Sequence, residues 1–319
     1  MAPDTVTGPR PICNCTIPRL AAAWRAHWPA GAAPGILLAM PMDAFLARCA
    51  SHLASRPAAQ ALYTDLDNTL LGPDGALLRA PDGEPSSRAA RALVDAADGG
   101  IAVVPVSGRQ RHQLQQDARL LGLRDCIGEA GAVTVRDGRA HYAWGSCPRD
   151  LAATPHDALA AAGALDVLLS AFPDDLRLYE PWHRGREGGM LLHGQVDVAA
   201  ANALLAEAGL SWAALVDNGA TGGWPGRAVR AYHLLPDGVG KARAVADDLS
   251  SRGLDPAAAA AIGDSPEDAT MAAVVGTYFQ VANGASPSDA RVLVTPSAMG
   301  HGFSEAVTAL LAAREVRQA

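Results

Sequence analysis

Lysine is almost missing from this chain. Of 26 basic residues, 25 are arginine and one, Lys241, is lysine. Surface positions accept either cation, so the single lysine marks a place where a compact ammonium is needed and a planar guanidinium does not fit. An overall basic excess is also lacking. The net charge of −7 excludes the broad basic face that nucleic-acid binding requires. No apolar run approaches the roughly 20 residues that cross a bilayer. The stretch Gly35-Ile-Leu-Leu-Ala-Met-Pro41 is too short, and too far from the start, for a secretory signal. The sequence therefore predicts a cytoplasmic protein with no nucleic-acid or membrane partner. Five scattered cysteines (13, 15, 49, 126, 147) are an odd set that makes no disulfide framework, and Cys13-Asn-Cys15 lacks the second ligand pair of a metal site. Low-complexity tracts and internal repeats are missing as well.

What is present is a chain of 319 residues, 49% of them hydrophobic, enough for a large core. Residues 1–60 are rich in Ala, Pro and Arg and read as an extension of unassigned role, with helices expected at Leu20–His27 and Asp43–Ser55. From Ala61 the pattern alternates between short apolar runs and amphipathic stretches. Strands are expected at Ala61–Leu66 and Ile101–Val106, and helices at Ser86–Ala97 and Arg109–Leu121. Short strands follow around a turn at Arg136-Asp137-Gly138. Between about 150 and 233 the order changes to a helix at His156–Ala171, then strands and a helix with hairpin-like spacing, which predicts an α+β unit. Strand and helix alternate again after Pro236. The fold class expected is α/β: a Rossmann-like parallel-sheet core (61–135 and 235–319) with an inserted α+β cap (136–234).

Four clusters carry chemistry, each at the carboxyl end of an expected strand or the start of the next helix, the edge at which open α/β sheets bind ligands. In Asp65-Leu66-Asp67-Asn68-Thr69 two carboxylates leave one strand, and both ionise in a dry site only beside a cation. At Ser107-Gly108-Arg109 a hydroxyl and helix-start N–H groups can face an anion. Gly240-Lys241 places the lone lysine at a helix opening. In Gly263-Asp264-Ser-Pro-Glu267-Asp268 two acids stand about one turn apart and form an oxygen donor set that suits magnesium. Taken singly, each has an ordinary alternative: a turn for Asp65–Thr69, a helix cap for Ser107, chance for the lone Lys241, and an acidic cap and first turn for Asp264 and Asp268.

Together and in this order they resemble the haloacid dehalogenase-like hydrolases, whose motifs run DxDx(T/V), Ser/Thr, Lys/Arg, GDxxxD. The match falls on Asp65/Asp67/Thr69, Ser107, Lys241 and Gly263-Asp264…Asp268. The insert between Ser107 and Lys241 resembles the C2-capped phosphatase branch. Gly128-Glu129-Ala130-Gly131-Ala132 is similar to that branch's "ENGA" stretch with Ala130 in place of asparagine, and Val281-Ala-Asn283-Gly284 to its loop after the acidic motif. The resemblance implies a phosphatase that uses Mg²⁺, held by Asp65, Asp67, Asp264 and Asp268. Asp65 is implied as nucleophile and Asp67 as acid and base, while Ser107, Gly108 and Lys241 hold the phosphoryl group. Arg109, Arg184, Arg186 and Asn218 are candidate contacts for a small phosphate ester, a sugar phosphate by analogy. The hydrogen-bonding groups of Trp182, His183, His193 and Trp224 could add to that face. A phosphomutase of the same architecture and a non-catalytic phospho-ligand binder are the alternatives.

Overall fold

The computed structural model describes residues 40–284, 289 and 291–318. The expected helix at Leu20–His27 and the Cys13-Asn-Cys15 pair lie outside the described residues. Helix α1 (Met42–Leu53) buries Phe45, Cys49 and Leu53 in the core and packs against the last helix. The later part of the expected extension is therefore integral to the fold.

The central sheet follows from five short apolar strands, the three inner ones too buried to alternate with polar residues. Strands β1 (Ala61–Thr64) and β2 (Ala102–Pro105) are joined through α2 (Arg88–Asp98). After β2 come α3 (Arg111–Leu120), β3 (Cys126–Gly128), β4 (Val133–Arg136) and β5 (Arg139–Tyr142). The turn between β4 and β5 has Asp137 at φ 49° and Gly138 at φ 75°, the left-handed pair that a two-residue hairpin demands. Residue 136, the expected border of the cap, is thus the last of β4 and is paired with Arg139 of β5.

The cap supplies α4 (Pro155–Ala161), α5 (Ala164–Ala171), β6 (Leu176–Leu178), β7 (Met190–Gly194), α6 (Val198–Glu207), β8 (Ala213–Thr221) and β9 (Val229–Pro236). The single helix expected at His156–Ala171 is two, because Gly163 takes φ 71° and turns the chain between them. The core resumes with α7 (Lys241–Arg252), β10 (Ala259–Gly263), α8 (Pro266–Ala269), β11 (Thr277–Gln280), β12 (Leu293–Val294) and α9 (Met299–Gln318). Helix α8 is short because it tightens into a 3₁₀ turn at Thr270–Ala273.

All five core strands are parallel, in the order β12-β11-β10-β1-β2, and Val106 bridges onward to Ile127. Alternate residues face opposite layers. Leu62, Val103, Ala260 and Ile262 meet α1, α2 and α9, whereas Tyr63, Val104 and Ala261 meet Val245 and Leu249 of α7. The four-stranded cap sheet, β6-β7-β9-β8, is antiparallel and buries Leu192, Leu215, Tyr232 and Leu234 with the three cap helices. Its other face carries Leu191, Ala231 and His233.

Behind α7, Asp248 is 1% exposed and collects the Tyr63 hydroxyl at 2.8 Å, Arg136 Nη2 at 2.7 Å and Arg252 Nε at 2.6 Å. The carboxylate ties β1, β4 and α7 together. Removing it strands the Arg136 guanidinium and a buried phenol and leaves Arg252 with Asp125 alone, so Asp248→Ala should cost about 3–5 kcal/mol of stability. Denaturant unfolding measures this; a loss within experimental error would show that the network adds nothing.

Candidate active site

Strand register builds the site before any side chain is considered. Thr64 of β1 lies opposite Pro105 of β2 and Ile262 of β10. One residue past Thr64 is Asp65; two past Pro105 is Ser107; two past Ile262 is Asp264. Parallel pairing thus delivers three motifs to one edge of the sheet. Lys241 arrives at the first turn of α7, whose approach is set by a backbone contact. Gly131, at φ 98°, lies so near that a Cβ there would stand 2.4 Å from the Gly240 carbonyl oxygen. Only glycine fits that position.

The charges then interlock. Lys241, 4% exposed, donates to Asp65 Oδ1 at 3.0 Å and to Asp268 Oδ1 at 2.6 Å, with Glu267 at 3.9 Å. Burial alone would lower its ammonium, but Asp268 and Asp65 outweigh this and raise its pKa well above the ordinary lysine value, so it stays charged. The second oxygen of Asp268 accepts from Ser265 N at 3.0 Å and Ser265 Oγ at 2.6 Å, closing a capping box at the start of α8. Gly263 is required beneath it, because an added Cβ would lie 2.2 Å from that of Asp268. Asp264 accepts from the buried Thr69 hydroxyl at 3.3 Å.

One oxygen from each of Asp65, Asp264 and Asp268 lies within 4.8 Å of the others. Burial, and then repulsion from Asp268, push the Asp65 carboxyl well above its usual range and that of Asp264 up to about 6. Lys241 offsets only part of this. A hard divalent cation fits the trio, since the donors are carboxylate oxygens and the surplus charge is negative.

Asp67 points elsewhere. Its side chain, 52% exposed, is gripped at both oxygens by Arg109, at 3.0 Å and 2.5 Å. Arg109 also holds Asp117 at 2.6 Å. The Asp67 carboxylate is therefore beside the metal trio and outside it. Ser107 is buried, and its hydroxyl accepts from Arg109 N at 3.2 Å. Gly108 leaves room for the cap: a Cβ there would meet His233 Nε2 at 3.1 Å and Asn218 Nδ2 at 3.3 Å.

A cavity of about 650 Å³ connects these groups to the cap. Asp65, Asp67, Ser107, Gly108, Arg109, Lys241, Asp264 and Asp268 line it from the core, and Arg186 and Asn218 from the cap. Arg184 does not reach it; its side chain is 75% exposed and pairs with Glu180 one turn back. Nor do His193 and Trp224 line it. His193 stacks on Tyr179 with ring centroids 4.4 Å apart, and Trp224 lies under Arg177 at 3.9 Å, so their rings serve cap packing. Sequence reasoning missed Tyr179, Thr221 and Arg230, which do line the cavity. Only the alternation of β8 and β9 could have marked the last two, and a bulge at 217–220 disrupts it.

No family model matches the chain, and no curated protein matches it. Solved structures do. A Thermoplasma acidophilum protein shares 18% identity with a TM-score of 0.58, covering 80% of this chain and 99% of its own. A haloacid dehalogenase-like hydrolase from Bacteroides thetaiotaomicron shares 16% at 0.55, covering 78% and 98%. The sucrose-phosphatase of Synechocystis, solved with sucrose and phosphate, shares 16% at 0.54, covering 79% and 98%.

Raised carboxyl pKa values favour the protonated, folded, metal-free state, so stability from Asp264 is present at low pH and lost as pH rises through about 6. A cation reverses that loss. The rise in Tm caused by Mg²⁺ should accordingly be larger at neutral pH than at pH 5 when read by thermal melting; a pH-independent rise, or none, would contradict the metal assignment.

With five parallel strands, an antiparallel cap and these structural relatives, the chain has the fold of the capped haloacid dehalogenase-like hydrolases.

Proposed function

We propose that the protein is a Mg²⁺-dependent phosphomonoester hydrolase that works through a phosphoryl-Asp65 intermediate on a small phosphate ester, of the sugar or polyol phosphate class. One observation carries the reading: the buried Lys241 ammonium bonded to both Asp65 and Asp268, with Asp264 beside them and Ser107 on the same sheet edge. Phosphoryl transfer needs positioning and charge neutralisation more than covalent machinery. A divalent cation held by Asp65, Asp264 and Asp268 would supply charge neutralisation at the phosphoryl oxygens.

The residues divide the remaining work. Ser107 Oγ, the N–H groups after it and Lys241 hold the phosphoryl oxygens. An Asp65 oxygen attacks phosphorus, the P–O bond to the alcohol breaks, and Asp67 gives the departing oxygen its proton. Water then attacks the phosphoryl-Asp65, Asp67 takes the proton back, and inorganic phosphate leaves with Asp65 restored. Both Asp67 oxygens accept from Arg109 in the substrate-free arrangement, so the acid step requires Asp67 to leave Arg109 and take up a proton before it faces the leaving group. Asp117 keeps Arg109 in place meanwhile.

The cap covers the leaving-group side, and its polar lining of Asn218, Tyr179 and Thr221 supports a hydroxyl-bearing substrate. The Synechocystis relative, solved with sucrose and phosphate, is consistent with that class.

Asp65→Asn should reduce phosphate release from any accepted ester to background in the presence of Mg²⁺, and omission of Mg²⁺ should do the same to the parent enzyme. Lys241→Arg should lose about a hundredfold or more in kcat/KM, because a fork cannot occupy the space of a point charge between Asp65 and Asp268. A phosphate-release assay over a panel of phosphorylated sugars reads both; normal turnover by either variant would overturn the role given to that residue.

A further inference from the structure

Four cations line the cavity, and three of them are matched. Lys241 lies between Asp65 and Asp268, Arg109 between Asp67 and Asp117, and Arg230 pairs with Asp217. Arg186 has no carboxylate within ion-pair distance among the described residues. It is also 94% buried, at a relative exposure of 6%. Its Nε donates to the Trp182 carbonyl at 3.1 Å and one terminal nitrogen to the Gly108 carbonyl at 2.8 Å. The other terminal nitrogen, Nη1, is buried without any hydrogen-bond partner.

Taking a guanidinium out of water without a counter-charge is strongly unfavourable. Burial accordingly lowers the Arg186 pKa to about 10, opposed by the charge of Glu129. Glu129 does not pair with it: its oxygens accept the backbone N–H groups of Arg111, Glu187 and Gly188. His233, beside Gly108, is also without partners. Both its ring nitrogens lack partners, and burial, with Arg186 and Lys241 nearby, holds the ring neutral. The core–cap junction at Gly108 therefore presents unused donors and positive charge. The scissile phosphoryl group is already provided for by Ser107, Lys241 and the metal trio, all on the core. Arg186 belongs to the cap, on the side of the leaving group.

Resting on the phosphatase reading, we propose that the substrate carries a second anionic group, a carboxylate or a further phosphate, which Arg186 binds. The molecule is then a phosphorylated sugar acid or a bisphosphate, and a neutral polyol monophosphate is a poor substitute. A planar fork suits either anion.

The test separates binding from turnover. Asp65→Asn protein with Mg²⁺ is titrated calorimetrically with two matched pairs: 3-phosphoglycerate against glycerol 3-phosphate, and fructose 1,6-bisphosphate against fructose 6-phosphate. At least one charged member should bind about tenfold or more tighter than its neutral mate, and the pair concerned tells carboxylate from phosphate. Adding Arg186→Gln should erase that preference while leaving the affinity for the neutral mate nearly unchanged. Arg186→Lys, which keeps the charge, should retain part of the preference, and thermal melting verifies that both variants fold. Equal affinity within both pairs, or no binding of either charged member, overturns the proposal. So does an equal loss on both members of a pair in Arg186→Gln, which would assign Arg186 to the transferred phosphoryl group. Phosphate release by the parent enzyme is read separately. A charged-ligand preference without any release would sink the phosphatase reading and leave the second anion contact standing.

Discussion

The site depends on one buried ammonium. Asp65 and Asp264 are gathered so close to Asp268 that burial and repulsion from it work against their ionisation, and Lys241 is the only cation hydrogen-bonded to this trio among the described residues. It cannot neutralise all three. The remaining negative charge makes the edge of the sheet fit for a divalent cation, which the proposed reaction needs before a phosphoryl group can approach. Arg109 is kept out of that balance because Asp67 and Asp117 hold it to one side. Charge in the core is thus divided into two compartments, Lys241 with the carboxylate trio in one and Arg109 with Asp67 and Asp117 in the other.

A second constraint joins the cap to this arrangement. Buried Glu129, in the backbone kink after β3, accepts the N–H groups of Glu187 and Gly188 at the start of the cap's inner strand. Arg111 grips the Glu187 carboxylate at 2.5 Å and 2.6 Å, and Tyr142 adds its hydroxyl at 3.1 Å. Gly188 packs against Ala132 so tightly that a Cβ would lie 2.3 Å from the alanine methyl. These contacts fix the segment that carries Arg186, so a cap residue is placed relative to Ser107 and Gly108 nearly as firmly as the core residues are. In the proposed reaction, selectivity at the leaving group and chemistry at phosphorus would share this one junction.

Much of this was legible in the sequence, for identifiable reasons. Parallel strands buried on both faces leave uninterrupted apolar runs, and each run here ends in residues with a distinctive chemistry: Asp65, Ser107, Asp264. The lone lysine pointed to its own site because composition made it rare. The cap was harder. Gly163 divides a stretch whose apolar spacing reads as one helix, since periodicity does not register a single left-handed residue. Arg184 and Arg186 are two residues apart and indistinguishable by type, yet one is solvent-exposed and the other buried; only the contacts with Trp182 and Gly108 separate them. His193 and Trp224 looked like ligand contacts and prove to be packing for one another and for Tyr179. The bidentate hold of Arg109 on Asp67 joins residues 42 apart in sequence, and no local pattern announces it.

The central claim is that Asp65 itself receives the phosphoryl group. Rapid acid quench during turnover with Mg²⁺, followed by peptide mass mapping, addresses it directly. The account predicts one phosphoryl group on the peptide containing Asp65, absent from Asp65→Asn protein and from samples without Mg²⁺. Phosphate released at full rate with no label on that peptide at any quench time, or a label on another residue, would contradict it.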